Sequence, residues 1–495
     1  MSIRLFCNAP GQHTAVYLDR LRELAGEEIE SVVHLGDVDA DFKASSLARM
    51  DTRRAKGGHL MDGQSYRGAN LNLLAAPDFL SAMETTVDQM YRFAPGYRYR
   101  PHNLMNLQDY LDYYHILTDV MAQKLIEARS THVLFFNVPH LVYDTVLYDT
   151  ARSLGLHTVI LTMSHFPNLS FSMRQIEDFG EFDPKAGTAP PWLIERDKET
   201  ELFYMAKINE KNSQRGSISL RGFGHFLTYV LARKPMAAFN PVYLARTLMR
   251  MQRIYGSFPK WRDPFARFFD ENEFAYFEHL AEYENQPVDL DQKFIYFPLH
   301  LQPEMTTSSL GGGYRDQVLA IEDLSRTLPP DWLIYVKENP KQGAYARGPM
   351  FFHRLKRIPQ VRFLSSEADT HQLIKRSQFV AVITGTAGWE AIKKGKAAVI
   401  FGHTWFQRLP GIFKFSPDLD PLAVAASGID HTELERATGV LVSRGHEGLA
   451  VRGWQKALAD FDPVKNADCM ARAALGLLRG EIEFTFSPQG EGRSN

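Results

Sequence analysis

Two segments in the second half of the chain combine residue types that bind phosphate groups. Residues 337–340 read KENP and follow the apolar run WLIYV, while residues 384–388 read TGTAG and follow the run FVAVI. A lysine ammonium is a point charge suited to phosphate, and an asparagine amide also donates hydrogen bonds to it. Proline at 340 ends the first run, because proline offers no donor to a strand ladder. We therefore predict that both segments face one phosphate-bearing ligand; for 337–340 the alternative is a surface turn.

The second segment is predicted to lead directly into a short helix, AGWEAIKKG. The first turn of a helix has unpaired N–H groups and a partial positive charge, so it accommodates an anion. Glycines would let a ligand approach the backbone closely. The alternative is that Thr386 only caps the helix and Glu390 is a solvated acid in its first turn. The predicted nucleotide- and phosphate-binding residues are Lys337, Glu338, Asn339, Pro340, Thr384, Gly385, Thr386, Ala387, Gly388 and Glu390, the last as an acceptor for ribose hydroxyls.

A third strand-like run, FIYFPLH, ends in a loop rich in hydrogen-bonding groups. His300 and Glu304 in that loop are candidates for a general base or for orienting an acceptor hydroxyl, and a structural histidine beside the sheet is the alternative for His300. The run THVLFFNVPH ends similarly in the N-terminal half, and its polar residues are predicted to face the ligand from the other side. The predicted catalytic residues are His300, Glu304 and His140, and the predicted substrate-binding residues are Gln302, Asn137 and Asp144. Polar strand ends are also predicted at His34, Asp37, Ser164, His165 and Asn168.

These polar ends need a scaffold of parallel strands, and the sequence predicts one in each half. Short apolar runs alternate with helical patterns, as in THVLFFNVPH, LVYDTVLYDTARSLGL and HTVILTMSHFPN, and again in KFIYFPLH, YRDQVLAIEDLSRTLP and WLIYVKENP. This alternation is typical of a parallel sheet covered on both faces, where ligands bind beyond the carboxyl ends of the strands. We predict an α/β protein with two Rossmann-like domains facing a cleft. The predicted divisions are an N-terminal domain at 1–180, a helical insertion at 181–285, a C-terminal domain at 286–480 and a flexible tail at 481–495.

Length, charge and cysteine content exclude several classes of protein. The chain has 495 residues, more than one compact core usually covers, and its net charge of −2 gives no electrostatic reason to expect nucleic acid as a partner. Cys7 and Cys469 show no metal-ligand spacing and no disulfide framework, and we see no signal peptide or membrane-spanning run, which together predict a cytoplasmic protein. P-loop, HExxH, GxSxG and CxxC motifs are absent, and no convincing D-x-D pair is present. We therefore predict metal-independent chemistry and no cofactor.

The segments FPLHLQPE, YVKENP and TGTAGWEAIKKGK resemble the capsule polysaccharide biosynthesis family of glycosyltransferases, which includes capsular Kdo transferases and is distantly similar to bacterial sialyltransferases. The resemblance covers roughly 290–405 and implies a GT-B fold, with the nucleotide-sugar on the C-terminal domain and the acceptor on the N-terminal domain. It implies that 384–386 is the family's serine/threonine motif at the nucleotide phosphate. It also implies that 337–340 is the family's K-x-H-P element, but Asn339 stands at the histidine position, where it can donate a hydrogen bond and cannot titrate.

Three functions are compatible with this resemblance. The first is a glycosyltransferase that moves a sugar from a CMP- or UDP-linked donor to a surface polysaccharide or glycan acceptor. The second is an enzyme similar to nucleotide-sugar 2-epimerases, which would need no acceptor. The third is a non-catalytic glycan-assembly protein, for which Asn339 is the best support. Sugar, base, acceptor, stereochemistry and oligomeric state are not predicted.

The helical insertion is rich in aromatic and basic residues. Within 222–262, aromatic side chains are interleaved with Lys234, Arg246, Arg250, Arg253, Lys260 and Arg262. Such a surface suits peripheral contact with the anionic inner face of the cytoplasmic membrane, where a lipid-linked glycan acceptor would be found. The alternative is a helix packed on the protein body with arginines at its rim.

Overall fold

The structure is a computed structural model, and it describes most of the chain with several gaps. The described residues are 2–49, 65–68, 77–92, 104, 106–196, 214–257, 260, 263, 280, 286–339, 342, 347–365, 368–450, 458 and 460–488. Pro340 lies outside them, as do residues 489–495 of the predicted flexible tail and the predicted membrane-facing residues Arg262 and 258–259.

The first domain is built on a seven-stranded sheet. Its first six strands are β1 (Ile3–Asn8), β2 (Ile29–Gly36), β3 (Phe42–Lys43), β4 (His132–Phe135), β5 (His157–Met163) and β6 (Leu169–Met173). Its helices are α1 (Gln12–Ala25), α2 (Pro77–Arg92), α3 (Leu107–Glu127) and α4 (Tyr143–Ser153). Strands β1 to β5 run parallel in the order β3-β2-β1-β4-β5, and β6 pairs antiparallel with β5. Short connections between parallel strands and helices produce the Rossmann-like arrangement that the sequence predicted.

The second domain has a six-stranded sheet that is parallel throughout. Two helices precede it in the chain, α5 (Leu220–Arg233) and α6 (Pro241–Ser257). The strands are β7 (Phe294–Pro298), β8 (Leu333–Lys337), β9 (Val361–Leu364), β10 (Val380–Val382), β11 (Ala398–Ile400) and β12 (Ile412–Lys414). The helices among and after them are α7 (Met305–Ser308), α8 (Gln317–Thr327), α9 (Pro349–Lys356), α10 (Thr370–Arg376), α11 (Thr386–Lys393), α12 (Pro421–Ala426) and α13 (His431–Ser443). The strand order is β12-β11-β10-β7-β8-β9, so β7 lies at the centre between β8 and β10. Two Rossmann-like domains are thus confirmed.

The end of the chain returns to the first domain, which differs from the predicted boundary at 480. Strand β13 (His446–Glu447) pairs antiparallel with β6 and becomes the edge of the first sheet. Helix α14 (Pro463–Arg479) then packs against α1, and its apolar face joins β1 and β5 in one buried cluster that includes Leu5, Leu18 and Met470. The sequence could not show this return, because an amphipathic helix reveals its buried face but not the partner that covers it.

The described residues of the helical insertion include the helices α5 and α6. The buried faces of these helices, including Phe226, Val230 and Ile254, belong to the same apolar cluster as Ile295 and Phe297 of β7. The insertion is therefore anchored on the second domain. Residues 180–192 contain no helix or strand, which agrees with their proline and glycine content.

Candidate functional site

Three of the predicted polar segments meet at one edge of the second sheet. Pro298 at the end of β7 is paired with Lys337 at the end of β8, and β10 lies on the other side of β7. Because all three strands are parallel, their carboxyl ends share this edge, which is where open α/β sheets bind ligands. The edge therefore carries the loop that begins at His300, the residues after Lys337 and the turn at 384–388.

His300 has a structural role at this edge. Its side chain is buried, and Nε2 accepts a hydrogen bond from the Thr384 N–H at 3.3 Å. Burial, together with the positive charge of Arg347, lowers the pKa of His300 to about 3, and the Pro298 carbonyl partly opposes this shift. A neutral imidazole that is already bonded to a backbone N–H is poorly suited to take a proton from an acceptor, so the structural alternative for His300 is favoured over the catalytic prediction.

The two glycines of the 384–388 turn are required by protein packing. A Cβ on Gly385 would lie 2.3 Å from Nε2 of His300, and one on Gly388 would lie 3.0 Å from the ring of Phe406. The prediction that these glycines leave room for a ligand is therefore corrected: protein side chains already fill the space beside both of them.

The start of helix α11 offers donors that the protein leaves unused. Gly385 is the N-cap and provides no side-chain bond, and the N–H groups of Thr386 and Ala387 have no acceptor among the described residues. Both residues are half-buried, so a ligand can reach them. Thr384 does not contribute its hydroxyl, because Thr384 Oγ1 donates to the Thr306 carbonyl at 2.7 Å. The N-terminus of helix α11 therefore presents donors at the sheet edge of the kind that suit an anion.

Glu304 lies next to this turn through the bond between Thr306 and Thr384. It is the N-cap of α7: one carboxylate oxygen, Oε2, accepts from the N–H of Thr306 at 3.3 Å and also from its hydroxyl. The other oxygen, Oε1, has no partner among the residues that the structure describes. Glu304 is half-buried and remains the predicted residue best placed to accept a proton.

A buried arginine that the sequence did not reveal organises the same edge. The side chain of Arg347 is fully buried and pairs with both oxygens of Glu338, at 2.8 and 3.2 Å. It also donates to the carbonyl of His300 at 2.6 Å and to Oε1 of Gln302 at 3.1 Å. Gln302 Nε2 donates to the Arg315 carbonyl at 2.5 Å. Glu338 and Gln302 are thus structural partners of Arg347, and the predicted ligand contacts for these two residues are corrected. No sequence signal distinguishes Arg347 from a surface arginine.

Lys337 and Glu390 also have partners within the protein. Lys337 is buried, and Nζ donates to Thr370 Oγ1 at 2.7 Å at the start of α10, so it fastens β8 to that helix. Glu390 pairs with Lys393 at 3.4 Å, and both side chains are mostly buried. Asn339 is half-buried, and its N–H donates to Glu338. Lys337 and Thr386 therefore lie at the same sheet edge, but the Lys337 ammonium donates its hydrogen bond to Thr370 within the protein.

The polar residues of the first domain form a tight turn between β4 and α4. Asp144 Oδ1 accepts from the N–H groups of His140 and Leu141, at 3.1 and 2.6 Å. Burial raises the pKa of Asp144, and the proximity of His140 opposes this shift. Val142 has φ 75° and ψ −70°, and Tyr143 N–H donates to the Leu141 carbonyl, which is a strained γ-turn. Such strain is concentrated at functional sites.

Asn137 and His140 support the same loop. Asn137 Oδ1 accepts from Val138 N–H at 2.9 Å and from the Thr162 hydroxyl at 3.0 Å. His140 Nδ1 lies 2.7 Å from the Val138 carbonyl, and the residue is half-buried. Asn137, His140 and Asp144 therefore lie in one loop of the first domain, and their contact with a ligand stays a prediction.

The two domains touch at this loop and border an open cavity beside it. Ser309 Oγ donates to the Pro139 carbonyl at 2.5 Å, which joins the loop after β7 to the loop after β4. The cavity beside this contact has a volume of about 700 Å³ and is lined by α2, α4 and residues 309–315. The charged side chains that line it include Arg152, Glu177 and Arg315. This volume suits a nucleotide-sugar or a glycan. None of the predicted site residues lines it.

Asp149 is the most perturbed acid in this cavity. Burial raises its pKa to about 8, and Arg152 partly opposes the shift. Its Oδ2 atom is buried and has no hydrogen-bond partner among the described residues, although the residue as a whole is half-buried. The sequence analysis missed Asp149 because it lies inside a helix rather than at a strand end.

Aromatic rings join the start of α11 to the first domain. His165, from the loop after β5, stacks on Trp405 with ring centroids 5.4 Å apart, and Trp405 contacts Trp389 in α11 at 5.0 Å. Burial lowers the pKa of His165 to about 4. The first turn of α11 thus lies close to the boundary between the domains.

Two further properties bear on ligands and membranes. No group of three or more histidine, cysteine, aspartate or glutamate residues in the described ranges could hold a metal ion. No helix in the part of the chain that the structure describes combines the length and apolarity needed to cross a bilayer.

Comparison with known families supports the resemblance seen in the sequence. Residues 283–414 match the family model described as "Capsule polysaccharide biosynthesis protein". This segment contains β7 to β12 and therefore the whole sheet edge described above. The predicted resemblance to the capsule polysaccharide biosynthesis family is confirmed over these residues.

Solved structures show remote similarity only. The chain is similar to KpsC of Thermosulfurimonas dismutans, a beta Kdo 2,7 transferase, at 12% identity over 74% of this chain and 90% of that chain, with a TM-score of 0.29. It is also similar to the UDP-GlcNAc 2-epimerase of Methanocaldococcus jannaschii, at 10% identity over 96% and 99% of the two chains, with a TM-score of 0.22. TM-scores this low carry no inference about activity. No curated protein sequence matches the chain significantly.

Proposed function

We propose that this protein is a metal-independent glycosyltransferase that moves a sugar from a CMP- or UDP-linked donor to a surface polysaccharide or glycan acceptor. The observation that carries the proposal is the start of α11. Within the segment that matches the capsule biosynthesis family, Thr386 and Ala387 present two N–H groups that no described residue accepts. A donor phosphate is a suitable partner for such groups, and no metal is required to neutralise it there.

The transfer step needs a group that accepts the proton of the acceptor hydroxyl. We assign this role to Glu304, whose Oε1 has no partner among the described residues and whose Oε2 is held by Thr306. The acceptor oxygen would attack the anomeric carbon as its proton passes to Glu304. The bond between that carbon and the phosphate oxygen would break, and the developing charge on the nucleotide would be stabilised by the N–H groups of α11.

The acceptor is expected to approach from the first domain, across the boundary at Pro139 and Ser309. The strained loop around Val142 and the cavity beside it face this boundary. An acceptor that is linked to a lipid would place the protein at the inner face of the cytoplasmic membrane.

Replacing the first residue of α11 by proline tests the phosphate site by removing a backbone donor. Gly385 has φ −73° and ψ 154°, a conformation that is allowed before proline, and proline is favoured at the first position of a helix. Thr386→Pro should therefore fold and lose one donor. Loss of a hydrogen bond to a charged group costs about 1.5–3 kcal/mol, so nucleotide affinity should fall roughly 10- to 100-fold by calorimetry with CMP, UDP, GDP and their sugars.

Matched variants make the outcome specific. Thr386→Ala keeps the N–H and should bind nucleotide more tightly than Thr386→Pro. His431→Pro is the control for proline itself, because it places proline at the same position of α13, after the N-cap Asp430. Equal binding by Thr386→Pro and the parent chain would reject the phosphate site. Failure to bind any nucleotide would favour a non-catalytic protein, and production of an epimerised sugar without acceptor would favour an epimerase.

A further inference from the structure

The helical insertion presents an apolar surface that nothing in the described structure covers. On α5, Leu220, Phe223, Leu227 and Leu231 recur at helical spacing and form one exposed stripe. The stripe continues through the connection to α6 and along that helix. Its most exposed members are Leu220 at 93%, Phe239 at 84% and Met236 at 80%, and Val242 and Met249 extend it.

This stripe is not the face by which the helices attach to the protein. The attached faces carry Phe226, Val230, Met251 and Ile254, which are buried in the same cluster as the second sheet. Both helices therefore have two apolar sides, one used for anchoring and one turned to solvent. An apolar stripe of this extent on a solvent-exposed surface marks an interaction site.

The charged side chains within the segment that carries the stripe are all basic. Residues 214–257 contain no aspartate or glutamate, although the whole chain has a net charge of −2. Arg246 follows Val242 by one turn of α6 and Arg250 follows Arg246 by one turn, so basic side chains border the apolar ones. The basic residues in this range are Arg215, Arg221, Arg233, Lys234, Arg246, Arg250 and Arg253.

We infer that the exposed residues of 214–257, which we call the basic apolar surface, bind the face of a membrane that contains anionic phospholipid. Aliphatic and aromatic side chains that project from surface helices can enter the boundary between headgroups and acyl chains, while arginines pair with the phosphates. Anionic lipid supplies both requirements at once, a negative plane and an apolar layer beneath it. An acidic protein would satisfy the arginines but would need its own apolar groove to cover side chains that protrude this far.

Sedimentation with vesicles tests this inference and requires no nucleotide, so its result is independent of the proposed activity. The full chain should sediment with vesicles of phosphatidylcholine and phosphatidylglycerol and should bind pure phosphatidylcholine much more weakly. Added salt should release it, because exposed charges are screened. Absence of binding to the anionic vesicles, or equal binding to both kinds, would overturn the inference, and capture of an acidic protein instead would identify the other class of partner.

Two pairs of variants locate the binding on this surface. Arg246→Glu with Arg250→Glu should weaken binding to anionic vesicles by at least about tenfold. The matched control is Lys375→Glu with Arg376→Glu, which makes the same change of charge at exposed positions of α10 and should bind like the parent.

The apolar side chains are tested in the same way. Leu227→Ser with Leu231→Ser should reduce sedimentation, whereas Leu422→Ser with Val464→Ser removes exposed apolar side chains elsewhere and should not. All four replaced residues are exposed, so folding is expected to be retained and can be checked by thermal unfolding. Equal sedimentation of the two serine variants would show that the stripe does not enter the membrane.

Discussion

The imidazole ring of His300 occupies the space that a side chain on Gly385 would need. A Cβ atom at 385 would lie 2.3 Å from Nε2 of His300, the same atom that accepts a hydrogen bond from Thr384 N–H. Gly385 has φ −73°, which any residue can adopt, so the glycine is required by the neighbouring ring and not by backbone conformation. The loop after β7 thereby sets the position at which α11 begins.

This relationship predicts a coupled pair of substitutions. Gly385→Ala should lower the free energy of unfolding by about 1–3 kcal/mol, the usual cost of overpacking. In the His300→Ala background the same change should cost much less, because the ring is gone. Denaturant unfolding of the four chains of this cycle measures the coupling.

The control for that cycle is Gly313→Ala, since a Cβ at 313 would meet nothing within 4 Å. It should change stability little in either background. If Gly385→Ala costs the same with and without His300, the contact described above does not determine the residue at 385.

The buried pair of Arg347 and Glu338 predicts a large stability effect. Arg347→Ala would leave the Glu338 carboxylate buried without its partner, which typically costs about 3–5 kcal/mol. Arg354→Ala is a suitable comparison, because Arg354 also bridges two acids, Asp316 and Glu322, but at a partly exposed position. Exposed pairs contribute about 0–1 kcal/mol each. Denaturant midpoints that fall equally in the two variants would contradict the structural role assigned to Arg347.

Buried histidines predict a loss of stability in acid. His165 has its pKa lowered from 6.5 to about 4 by burial, so the folded state binds fewer protons than the unfolded state between these values. Its contribution is present above pH 6.5 and is lost as pH falls toward 4, at about 1.4 kcal/mol per pH unit. His165→Phe keeps a ring against Trp405 and should remove that part of the slope in unfolding measurements at pH 4.5 to 8. Parallel curves for parent and variant over this whole range would show that His165 is not buried in its neutral form.

The buried carboxyl of Asp149 should give the free energy of unfolding the opposite dependence on pH. Its pKa is raised from 3.8 to about 8 by burial, so the folded state binds more protons than the unfolded state in that window and stability falls as pH rises. Asp149→Asn removes the ionisable group and should stabilise the protein by several kcal/mol at pH 8, because the difference grows by about 1.4 kcal/mol per pH unit across this window. The difference between parent and variant should vanish near pH 4 in thermal unfolding. A variant that is less stable than the parent at pH 8 would indicate that the carboxylate is charged and paired.

The strands and helices that carry the site could largely be predicted from sequence, because apolar runs and helical spacing report burial directly. The run KFIYFPLH became β7, and AGWEAIKKG became α11. Strands β6 and β13 were not predicted. Strand β13 has only two residues, too few for a pattern, and its pairing with β6 depends on a return of the chain that sequence does not encode locally.

The contacts within the site were less predictable than its location. Polar residues at the ends of β7, β8 and β10 were expected at one edge and lie there. Whether each faces a ligand or the protein depends on partners distant in sequence, as Lys337 with Thr370 and Glu338 with Arg347 show. Residue type at a strand end indicates that polar chemistry is present, and only packing decides which groups remain for a ligand.

The return of helix α14 to α1 has a consequence for synthesis of the chain. Met470 and Leu475 complete the apolar cluster around Leu5 and Leu18, although more than four hundred residues separate the two groups in sequence. A ribosome that makes this protein releases β1 and α1 more than four hundred residues before the helix that covers them. The second domain can therefore fold while the first still exposes an apolar face, and the nascent protein depends on protection from aggregation during that interval.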